Sequence, residues 1–315
     1  MTADKQNLTD KIKAEALRLG FSACGIAEAA MVADDEWIRL TRWIHDGMNA
    51  GMQYMENYPI LRHDLREFMP GSRSVISLAL NYYPQQCIAD DRYQFAYYAY
   101  GQDYHIVMKK KMQQLAEYIR SLLTPPEDFS YRLAVDSAPV LERYWAWKAG
   151  LGWIGRNHNL IIPGKGSFFF LSEIITDMEL AYDSPIGTGC GSCRRCIEAC
   201  PGQALLETGA ETVLDARKCH SYLTIEDKST EPRVSKEQSC GYIYGCDVCQ
   251  RVCPHNRHSI PTSIAEFVPK ESFLEMTDAD WHRLTKEQFS TLFKGTAVKR
   301  VKFEKLCSNI SVQQS

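Results

Sequence analysis

The 315-residue sequence has no long hydrophobic run. Its most apolar short run, residues 168–171, is far too short to cross a bilayer, which takes about 20 apolar residues. Residues 1–19 are charged throughout and lack the apolar region of a secretory signal. We therefore expect a soluble protein of the cytoplasm that has no membrane partner.

The sequence also lacks an excess of charge and the common nucleotide-binding motifs. It has 36 Lys and Arg residues against 39 Asp and Glu residues, which gives a net charge of −3. Nucleic-acid-binding domains are usually basic, so any contact with nucleic acid must come from local patches. No GxGxxG run follows a predicted strand and no P-loop is present, so neither kind of nucleotide site has support.

The first 180 residues contain both helical and strand patterns, and the chain length suits two domains or one domain with a large insert. Apolar spacing predicts helices over residues 9–19, 107–123 (ended by Pro125 and Pro126) and 139–149, and strands over 75–80, 132–135 and 167–176. This pattern predicts an α/β or α+β fold. Asp136 directly follows a predicted strand, and the junction between a strand and a helix is a common place for chemistry in open sheets.

The remaining residues predict two further regions. From about residue 185 the sequence becomes rich in Gly, Pro and Cys, as in a small module held together by a cofactor. After residue 258 it becomes helical again. Thr277 with Asp280, and Thr285 with Gln288, match the capping box that begins many helices.

Eight of the twelve cysteines have metal-binding spacing. Residues 190–201, CGSCRRCIEACP, match the run of bacterial ferredoxins with two 4Fe-4S clusters, in which the fourth Cys serves the other cluster. Residues 246–254, CDVCQRVCP, lack one upstream Cys, which either Cys219 or Cys240 must supply. The pattern predicts one cluster on Cys190, Cys193, Cys196 and Cys253, and a second on Cys200, Cys246, Cys249 and one of these two candidates.

A zinc site and a disulfide framework are the alternatives for these cysteines. Zinc does not explain the two Cys-Pro endings that follow three-residue gaps, and a chain without an export signal is expected to keep its thiols reduced. The isolated Cys24, Cys87 and Cys307 are interpreted as small buried hydrophobic residues. Two clusters form an electron wire, which we expect to deliver electrons to a site in the first 180 residues.

Five stretches then carry a family resemblance. They are VDSAPVLERYWAWKAGLGWIGRNHNLII (135–162) with GSFFFLSEIITD (166–177), CHSYLTIE (219–226), YGCDVCQRVCP (244–254) and GTAVKRVKFEKL (295–306). The chain resembles the epoxyqueuosine reductases, cobalamin-dependent enzymes related to reductive dehalogenases, nearly from end to end. It departs from that family at Ser137, where Thr is common, and in lacking the repeat-type C-terminal extension of some relatives.

The resemblance implies an oxidoreductase that reduces epoxyqueuosine to queuosine at the wobble position of tRNA, the last step of queuosine biosynthesis. It implies a nitroreductase-like cobalamin-binding domain over residues 1–180, a ferredoxin-like module with two 4Fe-4S clusters over 181–258, and a helical segment over 259–315 that packs on the core. The protein would be a monomer, and an external low-potential donor such as flavodoxin or ferredoxin would feed the clusters, which would reduce the cobalamin.

The resemblance also implies residue roles. Cys219, rather than Cys240, becomes the eighth cluster ligand. Asp136 becomes the proton donor, and partial burial should raise the pKa of such an acid; the alternative is a helix-capping Asp. The residues expected to approach the cobalamin are Arg62, Asp136, Arg143, His158, Asn159, Ser167 and Thr224. A surface salt bridge is the alternative for Arg143, and His158 is not expected to bind cobalt.

Other interpretations stay open at this point. Two basic clusters, Lys109–Lys111 and a group of Lys294, Lys299, Arg300 and Lys302, could follow tRNA phosphates or simply form solvated helix faces. The cysteine pattern alone would also suit a ferredoxin-type electron-transfer subunit. A reductive dehalogenase acting on a small molecule would share both cofactors.

Overall fold

The computed structural model describes residues 2–124, 128–209 and 211–314, so Pro125 and Pro126 lie outside the described residues. Within this range the α-helices are α1 (Thr2–Arg18), α2 (Asp34–His45), α3 (Pro59–His63), α4 (Leu65–Phe68), α5 (Tyr104–Ser121), α6 (Glu142–Lys148), α7 (Arg195–Glu198), α8 (His220–Ile225), α9 (Lys236–Ser239), α10 (Val248–Arg251), α11 (Glu271–Leu274), α12 (Asp278–His282), α13 (Lys286–Leu292) and α14 (Phe303–Ser311). The β-strands are β1 (Ala23–Glu28), β2 (Ser74–Asn81), β3 (Gln94–Phe95), β4 (Tyr131–Ala134), β5 (Trp153–Ile154), β6 (Leu160–Ile161), β7 (Phe169–Thr176), β8 (Leu205–Thr208), β9 (Glu211–Leu214) and β10 (Tyr242–Tyr244).

The central sheet has four strands in the order β1-β2-β7-β4. Strands β2 and β7 are mostly buried, as expected for apolar runs covered on both faces. All three strand pairs are antiparallel. The expected mixture of helices and strands is confirmed. Asp136 does lie between β4 and α6, as expected, and the sheet that contains β4 has no parallel pair among its described strands.

The two faces of the sheet pack against different helices. Helices α1 and α5 contribute Ile12, Met108, Met112 and Leu115 to the larger core, and these four side chains are completely buried. Helix α6 covers the other face with Trp145, which is also completely buried. Gly25 of β1 allows this close packing, because a Cβ atom there would lie 2.1 Å from the carbonyl oxygen of Ala149.

Helix α6 begins later than its sequence suggested. Pro139 does not open it; residues 136–139 form bends and the helix begins at Glu142. The amide of Val140 donates to the carbonyl of Ala138 over 2.8 Å, which makes a local turn instead of a first helical turn. Helix α5, by contrast, begins three residues before the predicted start, because the Asp103 side chain caps it by accepting from the His105 amide.

The cysteine-rich region and the C-terminal helices pack on the same core. Strand β10 pairs with β3 in parallel, and Ile243 and Tyr244 join the larger core together with Leu306 and Ile310 of α14. Both predicted capping boxes, Thr277 with Asp280 and Thr285 with Gln288, are present and begin α12 and α13. None of the described helices combines the length and the apolar character needed to cross a membrane.

Candidate active site

Asp136 lies just beyond β4 and meets two side chains from the first turn of α5. Its Oδ2 atom accepts a hydrogen bond from the Tyr104 hydroxyl at 2.8 Å and lies 3.1 Å from Nε2 of His105. The Asp136 side chain remains 48% exposed, so a substrate can reach it. Its backbone has a φ of +54°, a strained conformation for an Asp that is typical of functional sites. The structure does not support the capping alternative, because α6 has no side-chain cap.

His105 bridges two carboxylates. Its Nδ1 atom lies 2.7 Å from Oδ1 of Asp103, while Nε2 faces Asp136. A neutral imidazole has one N–H group, whereas the protonated ring donates from both nitrogens. The hydrogen bond to Asp136 raises the pKa of His105, burial opposes this, and Asp103 raises the pKa further. The geometry and the charges therefore both favour the imidazolium form.

The expectation that the pKa of Asp136 rises is wrong. Burial raises this pKa, but the hydrogen bonds from His105 and Tyr104, with the charges of His105 and Arg300, bring the pKa of Asp136 below its ordinary value. The directions of the two shifts favour an ion pair of Asp136 and His105, in which His105 holds the proton. The sequence analysis missed Tyr104 and His105; the signal was a cluster of polar and aromatic residues, GQDYH, at the start of a predicted helix.

A cation from the C-terminal region also acts on Asp136. Arg300 forms a 2.7 Å ion pair with Glu226 and lies over the Tyr54 ring, 5.9 Å from its centroid. Its charge lowers the pKa of Asp136. Of the C-terminal basic cluster, Arg300 thus belongs to the site, while Lys294, Lys299 and Lys302 are exposed.

Four of the residues predicted to approach the cobalamin lie near one another. Arg62 is buried and donates to the Tyr54 carbonyl at 3.1 Å, but its Nε atom has no hydrogen-bond partner. Arg143 donates to the His158 carbonyl. Burial lowers the pKa of His158 to about 4, so its ring is neutral, and its buried Nε2 atom has no partner. Asn159 follows in the same turn and donates to the Asn157 carbonyl at 3.3 Å.

Ser167 and Thr224 lie elsewhere and already have protein partners. The Ser167 hydroxyl accepts from Asn256 at 3.0 Å and from Gln250 at 3.1 Å, which ties it to the second cysteine run. The Thr224 hydroxyl donates to the His220 carbonyl at 2.8 Å and accepts from the Gly245 amide at 2.9 Å. Their hydroxyl groups therefore hold the fold together, and their contact with a cofactor stays a prediction.

Beside Asp136 lies a pair of glutamates, the partly buried Glu142 and the completely buried Glu173. Glu173 of β7 is completely buried and lies directly across from Ala134 of β4. Neither carboxylate oxygen of Glu173 has a hydrogen-bond partner, and Oε1 of Glu142 has none either. Burial raises the pKa of both carboxyl groups above the ordinary value of 4.5. The charge of Asp136 raises the pKa of Glu142 further, and the charge of Glu142 does the same for Glu173. Glu173 is therefore a protonated acid in the folded protein.

We expect the Glu173→Gln substitution to reduce the dependence of stability on pH. Below about pH 4.5 the folded and unfolded states both keep this proton. As the pH rises above that value, the unfolded state releases the proton while the folded state retains it, so the folded state loses roughly 1.4 kcal/mol per pH unit for each retained proton. The urea midpoint of the wild type should fall as the pH rises above about 4.5, and that of Glu173→Gln should fall less.

The matched control for this experiment is Glu117→Gln, since Glu117 is exposed on α5. It should follow the wild type at every pH. Equal slopes for the wild type and Glu173→Gln would show that Glu173 ionises normally in the folded protein.

The cysteine thiols affect one another's pKa within two groups. Burial raises the pKa of Cys196 to about 11, with contributions from Cys190 and Cys253, and Cys253 in turn is affected by Cys190 and Cys193. The second set is linked in the same way: burial raises the pKa of Cys246 and Cys249, and the thiols of Cys219 and Cys200 add to the shift in both. None of the twelve cysteines forms a disulfide. Two groups of four neighbouring free thiols fit two 4Fe-4S clusters.

The remaining cysteines behave differently. Cys240 is exposed, and its thiol points to the Glu237 carbonyl at 3.6 Å. Cys24 and Cys307 are partly buried, whereas Cys87 is exposed, so the interpretation of Cys87 as a buried hydrophobic residue is wrong. Among the described residues, no group of three or more His, Cys, Asp or Glu side chains is arranged to hold a single metal ion.

Comparisons with known proteins agree with this picture. Residues 62–137 match the family model "Epoxyqueuosine reductase QueG, DUF1730", and residues 189–256 match the "4Fe-4S double cluster binding domain". The epoxyqueuosine reductase of Cellulophaga algicola is 45% identical over 306 residues, which cover 97% of this chain and 98% of the relative.

Two solved structures are also similar over 98% of this chain, each with a TM-score of 0.85 and 25% identity. One is an epoxyqueuosine reductase with an epoxyqueuosine-modified stem loop of tyrosine tRNA, of which 80% is covered. The other, from Bacillus subtilis, has the loop of its catalytic aspartate swung out of the active site, and 81% of that chain is covered.

Proposed function

The chain belongs to the epoxyqueuosine reductase family, and from this premise we propose how its residues reduce epoxyqueuosine in tRNA to queuosine. The reaction converts an epoxide into an alkene and releases the oxygen as water, so it consumes two electrons and two protons. The observation that supports our assignment best is the accessible ion pair of Asp136 and His105, which can supply a proton to the departing oxygen. The two other interpretations, an electron-transfer subunit and a dehalogenase, are not favoured.

Asp136 is the residue we assign as the proton donor. Opening of the epoxide places negative charge on oxygen, and an acid within reach can protonate it. Because Asp136 is ionised at rest, it must first receive a proton from His105, the group with the raised pKa. Tyr104 holds the carboxylate in place at 2.8 Å. Asp103 in turn orients the His105 ring so that Nε2 points at Asp136.

The cofactors we propose are two 4Fe-4S clusters and cobalamin. The clusters would be held by Cys190, Cys193, Cys196 and Cys253, and by Cys200, Cys219, Cys246 and Cys249. Cobalamin, when bound, would supply a strongly reducing cobalt centre for breaking the C–O bond. Arg62, Arg143, His158 and Asn159 fit a ligand of this kind, because the unpartnered Arg62 Nε and His158 Nε2 are suited to its many amide groups. Asp136, Ser167 and Thr224 complete the proposed set.

The partners we propose are tRNA and an external low-potential electron carrier such as flavodoxin or ferredoxin. An epoxyqueuosine reductase with a similar fold has been solved with a modified tRNA stem loop. Arg300, next to Asp136, is placed to meet a phosphate, and the exposed Lys294, Lys299 and Lys302 extend this basic surface. We propose that the protein acts as a monomer in the cytoplasm, where tRNA is available. We also propose functional units at residues 1–180, 181–258 and 259–315.

Turnover by the reconstituted protein tests this function. The protein would be loaded anaerobically with iron, sulfide and cobalamin, reduced chemically, and given tRNA that carries epoxyqueuosine. Mass spectrometry of the digested nucleosides should show the loss of one oxygen atom from epoxyqueuosine. Protein lacking cobalamin is the control and should give none of this product. An unchanged nucleoside in the presence of both loaded cofactors would contradict the proposal.

A further inference from the structure

A surface concavity next to the first cysteine set is bordered by arginines. Its lining includes two of the predicted cluster ligands, Cys190 and Cys193, together with Arg194, Arg195, Pro254 and Arg257. The concavity is wide open, and all three arginines are exposed. The predicted ligands themselves thus line a surface that another protein can reach.

The charge at this surface is positive. Arg194 is compensated by Glu207 at 2.6 Å and by Glu198 at 3.5 Å. Arg195 and Arg257, in contrast, form no ion pair within the part of the chain that the structure describes. No acidic residue lines the concavity. Two uncompensated cations beside an accessible redox centre attract an acidic partner and orient it during the encounter.

The second cysteine set lies toward the active site instead. Cys219 directly precedes α8, and Thr224 of this helix accepts from the amide of Gly245, the neighbour of Cys246. Two residues after Thr224, Glu226 pairs with Arg300, whose charge acts on Asp136. A short path of contacts therefore connects the second set with Asp136. In an electron path through both clusters, the first cysteine set would therefore receive the electron and the second set would pass it to the active site.

We propose that the concavity bordered by Arg195 and Arg257 is the docking site of an acidic, low-potential electron-carrier protein. This inference relies on the proposed function in one respect only, which is that the protein needs an external source of electrons. One electron passes at a time: the reduced flavin of a flavodoxin loses an electron to become its neutral semiquinone, and the adjacent cluster is reduced by one electron. Such encounters use small interfaces, below roughly 1,200 Å², so a few charges contribute much of the attraction.

The test uses the cluster-loaded protein without tRNA and a flavodoxin as probe. The double variant Arg195→Glu/Arg257→Glu should bind oxidised flavodoxin about tenfold to a hundredfold more weakly at low salt, and reduced flavodoxin should reduce its clusters more slowly by a similar factor. The control Lys11→Glu/Lys270→Glu changes the net charge equally at exposed positions and should match the wild type. The iron content and complete reduction by excess dithionite should be the same in all three proteins, and the affinity for oxidised flavodoxin, which requires no electron transfer, decides the comparison.

Three results would overturn the proposal. One is unchanged affinity and reduction rate in the double variant, or no flavodoxin-dependent reduction of the wild type. Another is an altered cluster potential without altered flavodoxin affinity, since the arginines would then tune the cluster. The third is an equal weakening of flavodoxin binding in the control Lys11→Glu/Lys270→Glu, since net charge rather than this surface would then govern the encounter. If the double variant loses iron, the same measurements are made on the single variant Arg257→Glu. Arg257 lies outside both cysteine runs, so its substitution should leave the clusters in place. Since tRNA and turnover are absent from these measurements, a failure of the proposed function would leave their outcome unaffected.

Discussion

The Asp136→Asn variant is expected to lose most of its queuosine formation while its clusters and cobalamin remain bound. An asparagine cannot transfer a proton to the departing oxygen, and general acid catalysis contributes about 10²–10⁴-fold to a rate. Asparagine can still accept the hydrogen bond from Tyr104, which preserves the local structure. Single-turnover measurements with saturating modified tRNA, with product measured by mass spectrometry, should therefore show a fall of about this size.

The pH dependence provides a second observation on the same site. Because His105 supplies the proton and its pKa is raised, wild-type activity should persist at neutral pH and decline as the pH rises through the pKa of His105. In Asp136→Asn this decline should disappear from the small remaining activity. Asp35→Asn, a substitution at a 77% exposed carboxylate, is the matched control and should behave as the wild type. Wild-type turnover by Asp136→Asn would rule out the proton-donor role.

Local sequence signals predicted the parts of this protein that depend on local chemistry. The capping boxes of α12 and α13 rest on hydrogen bonds between residues three positions apart, so the sequence contains all the information needed. The buried strands β2 and β7 are continuous apolar runs. The assignment of cysteines to two clusters rests on their spacing within short runs and stays a prediction, which the thiols that affect one another's pKa support.

The proton-donor site could not be predicted in the same way. Tyr104 and His105 lie more than thirty positions before Asp136 in the chain, and the packing of α5 beside β4 and β7 brings them together. Burial of Asp136 was anticipated, but its effect on the pKa depends on these two partners, which reversed the expected direction. The antiparallel order of the sheet was not predicted, because strand direction depends on long-range pairing that apolar patterns do not record.

The choice between Cys219 and Cys240 leads to the second large effect. Cys219→Ala should lose one of the two clusters, and with it roughly half of the bound iron and all turnover, because a cluster of this type is held by four thiolates. The Cys219 side chain does not cap α8, so the helix keeps its first turn in the variant. Cys240→Ala should keep its iron and its activity. Iron analysis and electron paramagnetic resonance of the reduced proteins measure both outcomes.

The structure gives a physical reason for this asymmetry. Cys219 affects the pKa of both Cys246 and Cys249, whereas the exposed Cys240 is affected by Cys200 alone and directs its thiol to the Glu237 carbonyl. Cys240 also ends α9 with a φ of +49°, a strained geometry that alanine shares, so its replacement changes little in the backbone. Loss of iron in Cys240→Ala with full iron in Cys219→Ala would reverse the assignment. The second cluster would then be anchored at the protein surface instead of beside α8, the helix that leads through Glu226 and Arg300 to Asp136.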